Sequence, residues 1–289
     1  MRKDWIHAAL LLLPAMVLLV AFTHMPAIQT LIDSLWSTPR GRRASVFVGD
    51  ANYRRMLADP IFRRAMTNNA IYAALTIPSS IALALAMAIF VQGRIMGRAF
   101  LRMSFFTPTV LPLIAVANIW VFFFLPGFGL LEQLRAALGL SPQNWIGQSG
   151  TALYAVTVVS VWSQAGFFMI FYLAALQGIP ESLREAAALE GASRWHIFRR
   201  VTWPLLMPTT LFLSVNATIN AFRTVDHIFV MTEGGPNNAS MLLLYYIYET
   251  GFRFWDTAYA ATLTVVMVAI LAIVGLGQFF LMDRRVHYK

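Results

Sequence analysis

The chain has 289 residues, 58% of them apolar and only 12% charged, against roughly 25% charged in an average soluble domain. A water-soluble surface cannot be built from that composition, so lipid is the solvent for most of its length. The net charge of +9 comes from arginines at the ends of apolar runs, not from a basic stripe interleaved with aromatics, which argues against nucleic acid as a partner. Cysteine is absent, and with it disulfides, thiolate metal sites and cysteine nucleophiles.

Six apolar runs reach the roughly 20 residues that a bilayer crossing needs. In chain order they extend from Ile6 to Ile28, Asn69 to Val91, Met103 to Leu125, Thr151 to Leu176, Pro208 to Thr232 and Thr257 to Met282. Arg2 and Lys3 precede the first run as they would in a signal peptide, but no small-x-small cleavage site follows, so it reads as a retained helix. Pro78, Pro108 and Pro112 predict kinks within spans, because neighbouring helices satisfy the carbonyls that proline frees. The fold class is therefore all-α: a polytopic membrane protein of about six transmembrane helices, one membrane domain over residues 1–289 with no internal repeat.

An even number of spans puts both termini on one side. Cytoplasmic ends place Arg2, Lys3, Arg94, Arg98, Arg102, Arg184, Arg194, Arg199, Arg200, Arg284, Arg285 and Lys289 inside, twelve basic residues against nine outside. Arg135 and Arg253 stand alone in short outer loops, whereas the first outer segment, residues 29–68, holds Arg40, Arg42, Arg43, Arg54, Arg55, Arg63 and Arg64. With Pro39 and Pro60 it reads as a small external subdomain translocated whatever its charge.

Residues 177–207, between the fourth and fifth spans, form an inner segment far longer than a turn. Ile179-Pro180-Glu181 is a helix start, with proline near the first turn and Glu181 and Glu185 toward the positive end of the dipole. The helix runs to Glu190, Gly191 is placed to end it, and a second, basic stretch from Ala192 to Trp203 leads into Pro204. Physical chemistry alone leaves two uses open: amphipathic helices on the headgroups with Arg199 and Arg200 toward anionic lipid, or a docking site for a cytoplasmic partner.

The string from Glu185 through Ala186, Ala187, Ala188, Leu189, Glu190 and Gly191 to Ala192, followed by Phe198 and Pro204, resembles the Glu-Ala-Ala loop of permease subunits of bacterial ABC importers. Glu190, Val201 and Trp203 are mild departures in size from the residues usual there. Phe222 and Asp226, the run Ile228 to Thr232, and Gly234-Gly235-Pro236 are similar to the carbohydrate-uptake subgroup, relatives of the maltose and glycerol-3-phosphate permeases. Asn52-Tyr53, Asp59-Pro60 and the run Ala175 to Pro180 fit the same subgroup. The resemblance implies a type I ABC importer-like transmembrane domain in the bacterial inner membrane, paired with a second homologous permease. It further implies an ATP-binding cassette ATPase dimer, whose own subunits bind ATP and magnesium, and a periplasmic solute-binding protein that delivers a small polar solute. In that setting Glu185 offers a carboxylate to the ATPase, Ala186 and Ala187 allow close backbone approach, and Gly191 permits the turn.

Polar groups within spans are costly and are functional candidates by default. Asn216, Asn220, Arg223 and His227 follow helical spacing on one face of the fifth span; Asp226 is placed to neutralise Arg223, and a purely structural pair is the alternative. Thr157, Ser160 and Gln164, with Phe167 a turn away, repeat similarly in the fourth span. Amides and flat aromatic faces suit a sugar, and the resemblance points to Gln164, Phe167, Asn216 and Asn220 as solute-pathway residues, joined by Arg223 if the solute carries phosphate. Trp120, Phe124 and Trp162 read as packing or interfacial aromatics.

Two rival classes fit less well. An ion-coupled carrier usually shows paired repeats with broken helices, and a membrane enzyme needs a motif such as HExxH or a nucleophile elbow. Nor is the chain an ATPase: a phosphate-binding P-loop needs an internal lysine, and its lysines are Lys3 and Lys289.

Overall fold

The computed structural model describes residues 2–39, 41, 43–93 and 96–283. Arg40, Arg42, Arg94, Arg284, Arg285 and Lys289, counted above for orientation, lie outside the described residues. Within them the regular structure is helical apart from an isolated antiparallel bridge between Trp36 and Phe47. Five helical runs are long and apolar enough to cross a membrane, and a sixth is formed if a sharply bent helix pair counts as one. The chain divides into two compact units: one takes the residues up to Phe62 together with Tyr246–Ala269, the other takes Arg63–Tyr245 and the residues from Ile270.

The first unit begins with α1 (Arg2–Leu19), a π turn at Val20–His24 and α2 (Met25–Asp33), so the first helix continues beyond Ile28. No residue in its most apolar window is buried within the chain. Behind it, α3 (Ala51–Ala58) is tied back by Asn52, whose amide donates to the carbonyls of Ser34 at 2.9 Å and Trp36 at 2.8 Å. The Ser34 and Tyr53 hydroxyls meet at 2.8 Å.

α4 (Pro60–Gln92) begins nine residues before the apolar run that predicts it, because Pro60 supplies a preset φ at a position that needs no N–H. The next span differs from expectation. Pro78 and Pro108 do sit inside helices, but Pro112 separates α5 (Arg98–Val110) from α6 (Leu113–Phe124), whose axes differ by 102°. A proline disfavours helical backbone in the residue before it. Leu111 is accordingly extended (φ −75°, ψ 139°), and the span is broken instead of kinked. An unanticipated short helix, α7 (Leu130–Ala137), follows.

α8 (Ala152–Gln177) matches its sequence reading within a residue at each end. It passes so close to α5 that a Cβ at Gly166 would run into the carbonyl oxygen of Phe105. The core of the second unit joins α4, α8 and the long helix of the fifth span. Ala84, Ala88, Ala165 and Ala217 bring the backbones together, while Phe168, Met169, Tyr172 and Leu213 fill the space between.

The segment after the fourth span contains α9 (Glu181–Leu189) and α10 (Arg194–Ile197), then a π turn at Phe198–Thr202 and α11 (Trp203–Arg223). The helix does not stop at Pro204 and begin again at Pro208; it runs through both. The wide turn, closed by the Trp203 N–H on the Phe198 carbonyl, absorbs the mismatch that a proline imposes. Two non-helical residues, Thr224 and Val225, precede α12 (Asp226–Met231). The chain then turns through Gly234-Gly235-Pro236 into α13 (Leu243–Tyr248), a π turn at Glu249–Arg253 and α14 (Thr257–Asp283).

Candidate functional site

The segment between α8 and α11 is built by local chemistry. Pro180 caps α9 with extended backbone (φ −57°, ψ 131°), and Glu181 occupies its first turn. At the other end the Gly191 N–H bonds Ala188 O at 3.0 Å and the Ala192 N–H bonds Ala187 O at 3.1 Å, the paired closure of a Schellman motif. That closure needs left-handed backbone, which Gly191 supplies at φ +79°. Ser193 then caps α10, accepting the His196 N–H at 3.3 Å.

α9 carries its motif on an open surface. Glu185, Ala186, Glu190 and Gly191 are exposed, Ala187 and Ala192 half-buried, and Leu189 is 90% exposed. Beneath it lies a groove of about 520 Å³ lined by Ile89, Gln92, Leu176, Ile179, Glu185 and Phe198 among others. Pro204, the last residue of the motif, is exposed near the start of α11. A carboxylate, a run of alanines and an open end together suit insertion into a matching cleft.

The stripes on the fourth and fifth spans divide differently from their spacing. Thr157 and Ser160 are buried; Gln164 is half-buried and Phe167 38% exposed. On α11, Asn216 and Asn220 are half-buried and Arg223 is exposed, but the interruption at Thr224 and Val225 carries His227 into the interior, so it does not share their face. Arg223 and Asp226 form no ion pair among the described residues. The exposed aromatic edge links the stripes: Phe167 meets Phe171 at 5.0 Å, and Phe171 meets Phe212, a turn before Asn216, at 5.3 Å. The Asn216 amide donates back to the Phe212 carbonyl at 3.0 Å. Trp120 packs on Phe124 and Trp162, each with ring centroids 5.5 Å apart.

The interior side of the interruption holds a polar cluster that the sequence reading missed. The Tyr72 hydroxyl donates to Ser160 Oγ at 2.6 Å and stands 3.2 Å from Thr224 Oγ1. His227 Nε2 lies 2.6 Å from Ser160 Oγ. The Ser160 hydroxyl donates to the Val156 carbonyl at 2.9 Å, so its contact with His227 requires the proton on Nε2. Nearby, Asn69 Oδ1 accepts the Leu243 N–H at 3.0 Å, and the Asn68 amide donates to the carbonyls of Asn238 and Met241 at 2.8 and 3.0 Å. The signal was present in the sequence: Asn68, Asn69, Tyr72, Thr76 and Ser80 recur at helical spacing along α4, and all are buried.

Residues 80–288 match the family model described as binding-protein-dependent transport system inner membrane component. The chain belongs to that family. Its members are membrane subunits of transporters, so this permease is a transport component and not an enzyme. A probable ABC transporter permease of Bacillus subtilis is 32% identical over 269 residues, covering 91% of this chain and 92% of that protein. The lactose transport system permease LacF of Rhizobium radiobacter is also 32% identical, with 96% and 93% covered. The sn-glycerol-3-phosphate permease UgpA of Agrobacterium fabrum is 32% identical as well, with 96% and 95% covered. Among solved structures, a bacterial ABC transporter that imports the acidic polysaccharide alginate superimposes with a TM-score of 0.83 at 22% identity, covering 98% of this permease and 96% of that chain. At that identity the likeness concerns the fold. It is the all-α importer transmembrane domain that the spans and the Glu-Ala-Ala loop imply.

Proposed function

We propose that this permease forms half of the translocation pathway of an ATP-driven importer for a sugar, a polyol or a glycerol-phosphate-like solute. It works with a second permease of the same kind, a dimer of ATP-binding cassette subunits and a periplasmic solute-binding protein. The observation that carries the reading is α9, a short helix ended by Gly191 at φ +79° and displaying Glu185 and Ala186 to solvent between two spans. In this reading the ATPase cleft grips α9, with magnesium and ATP held by the ATPase alone, and its closure moves the helix that begins at Arg194. Gln164, Phe167, Asn216 and Asn220 offer amides and a ring face to the passing solute. The names of the lactose and glycerol-3-phosphate relatives support the solute class. Both termini are cytoplasmic in this arrangement, on the side of α9.

Mild-detergent affinity purification of the chain from its host tests the assembly. Recovery of a P-loop ATPase and a second six-span permease is expected, together with ATP-dependent uptake of radiolabelled sugar or glycerol 3-phosphate in proteoliposomes. Uptake by the chain alone, driven by an ion gradient without ATP, would overturn the reading.

A further inference from the structure

The first unit contains a cavity of about 540 Å³, within the roughly 300–1,000 Å³ typical of small-ligand pockets. Arg55, Thr250, Phe254, Trp255, Asp256 and Tyr259 form much of its wall. Arg55 donates to the Asp256 carboxylate at 2.7 Å while its guanidinium carbon stands 3.9 Å from the centre of the Tyr259 ring. Asp256 is fixed from the other side by the Thr38 hydroxyl at 2.6 Å. These contacts occupy only part of the five N–H donors of a guanidinium. The Thr250 hydroxyl, in a residue 3% exposed, has the Tyr246 hydroxyl as its neighbour in the same wall.

A structural clamp between Arg55 and Asp256 needs none of the aromatic rim. Phe254 is 67% exposed and Trp255 73% exposed, and Trp255 holds left-handed backbone at φ +54°, a genuine outlier for so bulky a side chain. Strain of that kind persists where the surroundings over-determine it, and it marks sites where a side chain is presented to something else.

We propose that this cavity is an accessory carbohydrate site on the permease itself, taking one neutral pyranose ring between the Trp255 face and the Arg55–Asp256 pair. The aromatic faces cover the C–H side of the ring, while guanidinium and carboxylate, fixed side by side, donate to and accept from adjacent ring hydroxyls. One positive and one negative lining group leave no net charge for a phosphate to find, which favours a neutral sugar over glycerol phosphate. The positive-inside count of the sequence puts residues 29–68 and the segment before the last span on the outer side, which is the entry side of an importer, and the proposal rests on the sugar-importer reading above.

The test uses the full-length chain with its copurifying subunits in nanodiscs, without binding protein, titrated with lactose and read by saturation-transfer NMR. Saturable lactose binding is expected, weakened about tenfold by Trp255→Ala, the upper range of a stacking contact. Trp255→Phe should restore it, and Phe252→Ala, an exposed aromatic outside the cavity, should leave it unchanged. Equal lactose affinity in Trp255→Ala, or displacement of lactose by glycerol 3-phosphate, overturns the site. The importer reading is judged separately by ATP-dependent uptake with binding protein present. Uptake without Trp255-dependent binding sinks only this site, whereas Trp255-dependent binding without uptake sinks only that reading.

Discussion

The polar groups around Asp59 and those of α9 obey opposite rules. Asp59 is surrounded by its own chain: it accepts the hydroxyls of Tyr246 at 2.5 Å and Tyr259 at 2.7 Å and the N–H of Ile61 at 2.8 Å. Burial opposes its charge, but these donors outweigh burial and hold its carboxyl below the ordinary aspartate value. Asp256 behaves alike, with the Thr38 hydroxyl and Arg55 overcoming burial. On α9, Glu185 stands exposed with no hydrogen bond or ion pair among the described residues. The Asp59 arrangement is complete in a single chain and its worth is stability. The Glu185 carboxylate makes no polar contact within the described residues, and its worth in the reading proposed above lies in an assembly.

That contrast is broken most directly at α9. Glu185→Lys and Gly191→Leu should reduce ATP-driven uptake to background while the unfolding temperature in detergent stays within a few degrees. A Cβ at Gly191 meets no atom within 4 Å, so the second change costs only left-handed backbone, about 1–2 kcal/mol. Uptake that survives both would place α9 in the same category as Asp59, as mere structure.

Asp59→Ala should do the reverse, lowering stability by about 3 kcal/mol because it strands two tyrosine hydroxyls and backbone donors; thermal unfolding in detergent measures it. Acid should mimic it. A carboxyl held below its ordinary value stabilises the fold above about pH 4, and that stability is lost as pH falls through the folded value. The unfolding temperature should therefore drop on acidification, and less steeply in Asp59→Asn, where the contribution of Asp256 is retained. Gly166→Ala should cost about 2 kcal/mol by pushing α8 off the Phe105 carbonyl, with lowered stability and uptake together. Smallest is Tyr72→Phe, about 1 kcal/mol from the loss of the hydroxyl between Ser160 and Thr224.

Much of this fold was legible because lipid imposes a simple rule on long apolar runs. α8 was found within a residue, since nothing between Ala152 and Gln177 interrupts it. Prolines were less legible, because their effect depends on what surrounds the freed carbonyls. Next to Pro78, Ile77 is packed against the core and stays helical, Leu111 before Pro112 turns extended, and a π turn carries the helix through Pro204. The α9 helix was readable to within a residue, because its closure at Gly191 is written in local sequence. The Tyr72, Ser160 and His227 cluster was not: it joins residues 88 and 67 positions apart, and the two-residue interruption after Arg223 rotates His227 away from the face that its spacing assigns.

The helical run from Arg194 to Arg223 has a mechanical consequence. Thirty residues make a rod about 45 Å long. Tilting such a rod by about 10° around its middle displaces each tip by about 4 Å, more than a carbon–carbon contact distance. The π turn at Phe198–Thr202 sits close to one end, beside α9. In the importer reading proposed above, a small push there would arrive at the Asn220 and Arg223 end as a lever stroke, with its amplitude set by the length of the beam and not by the strength of any single contact.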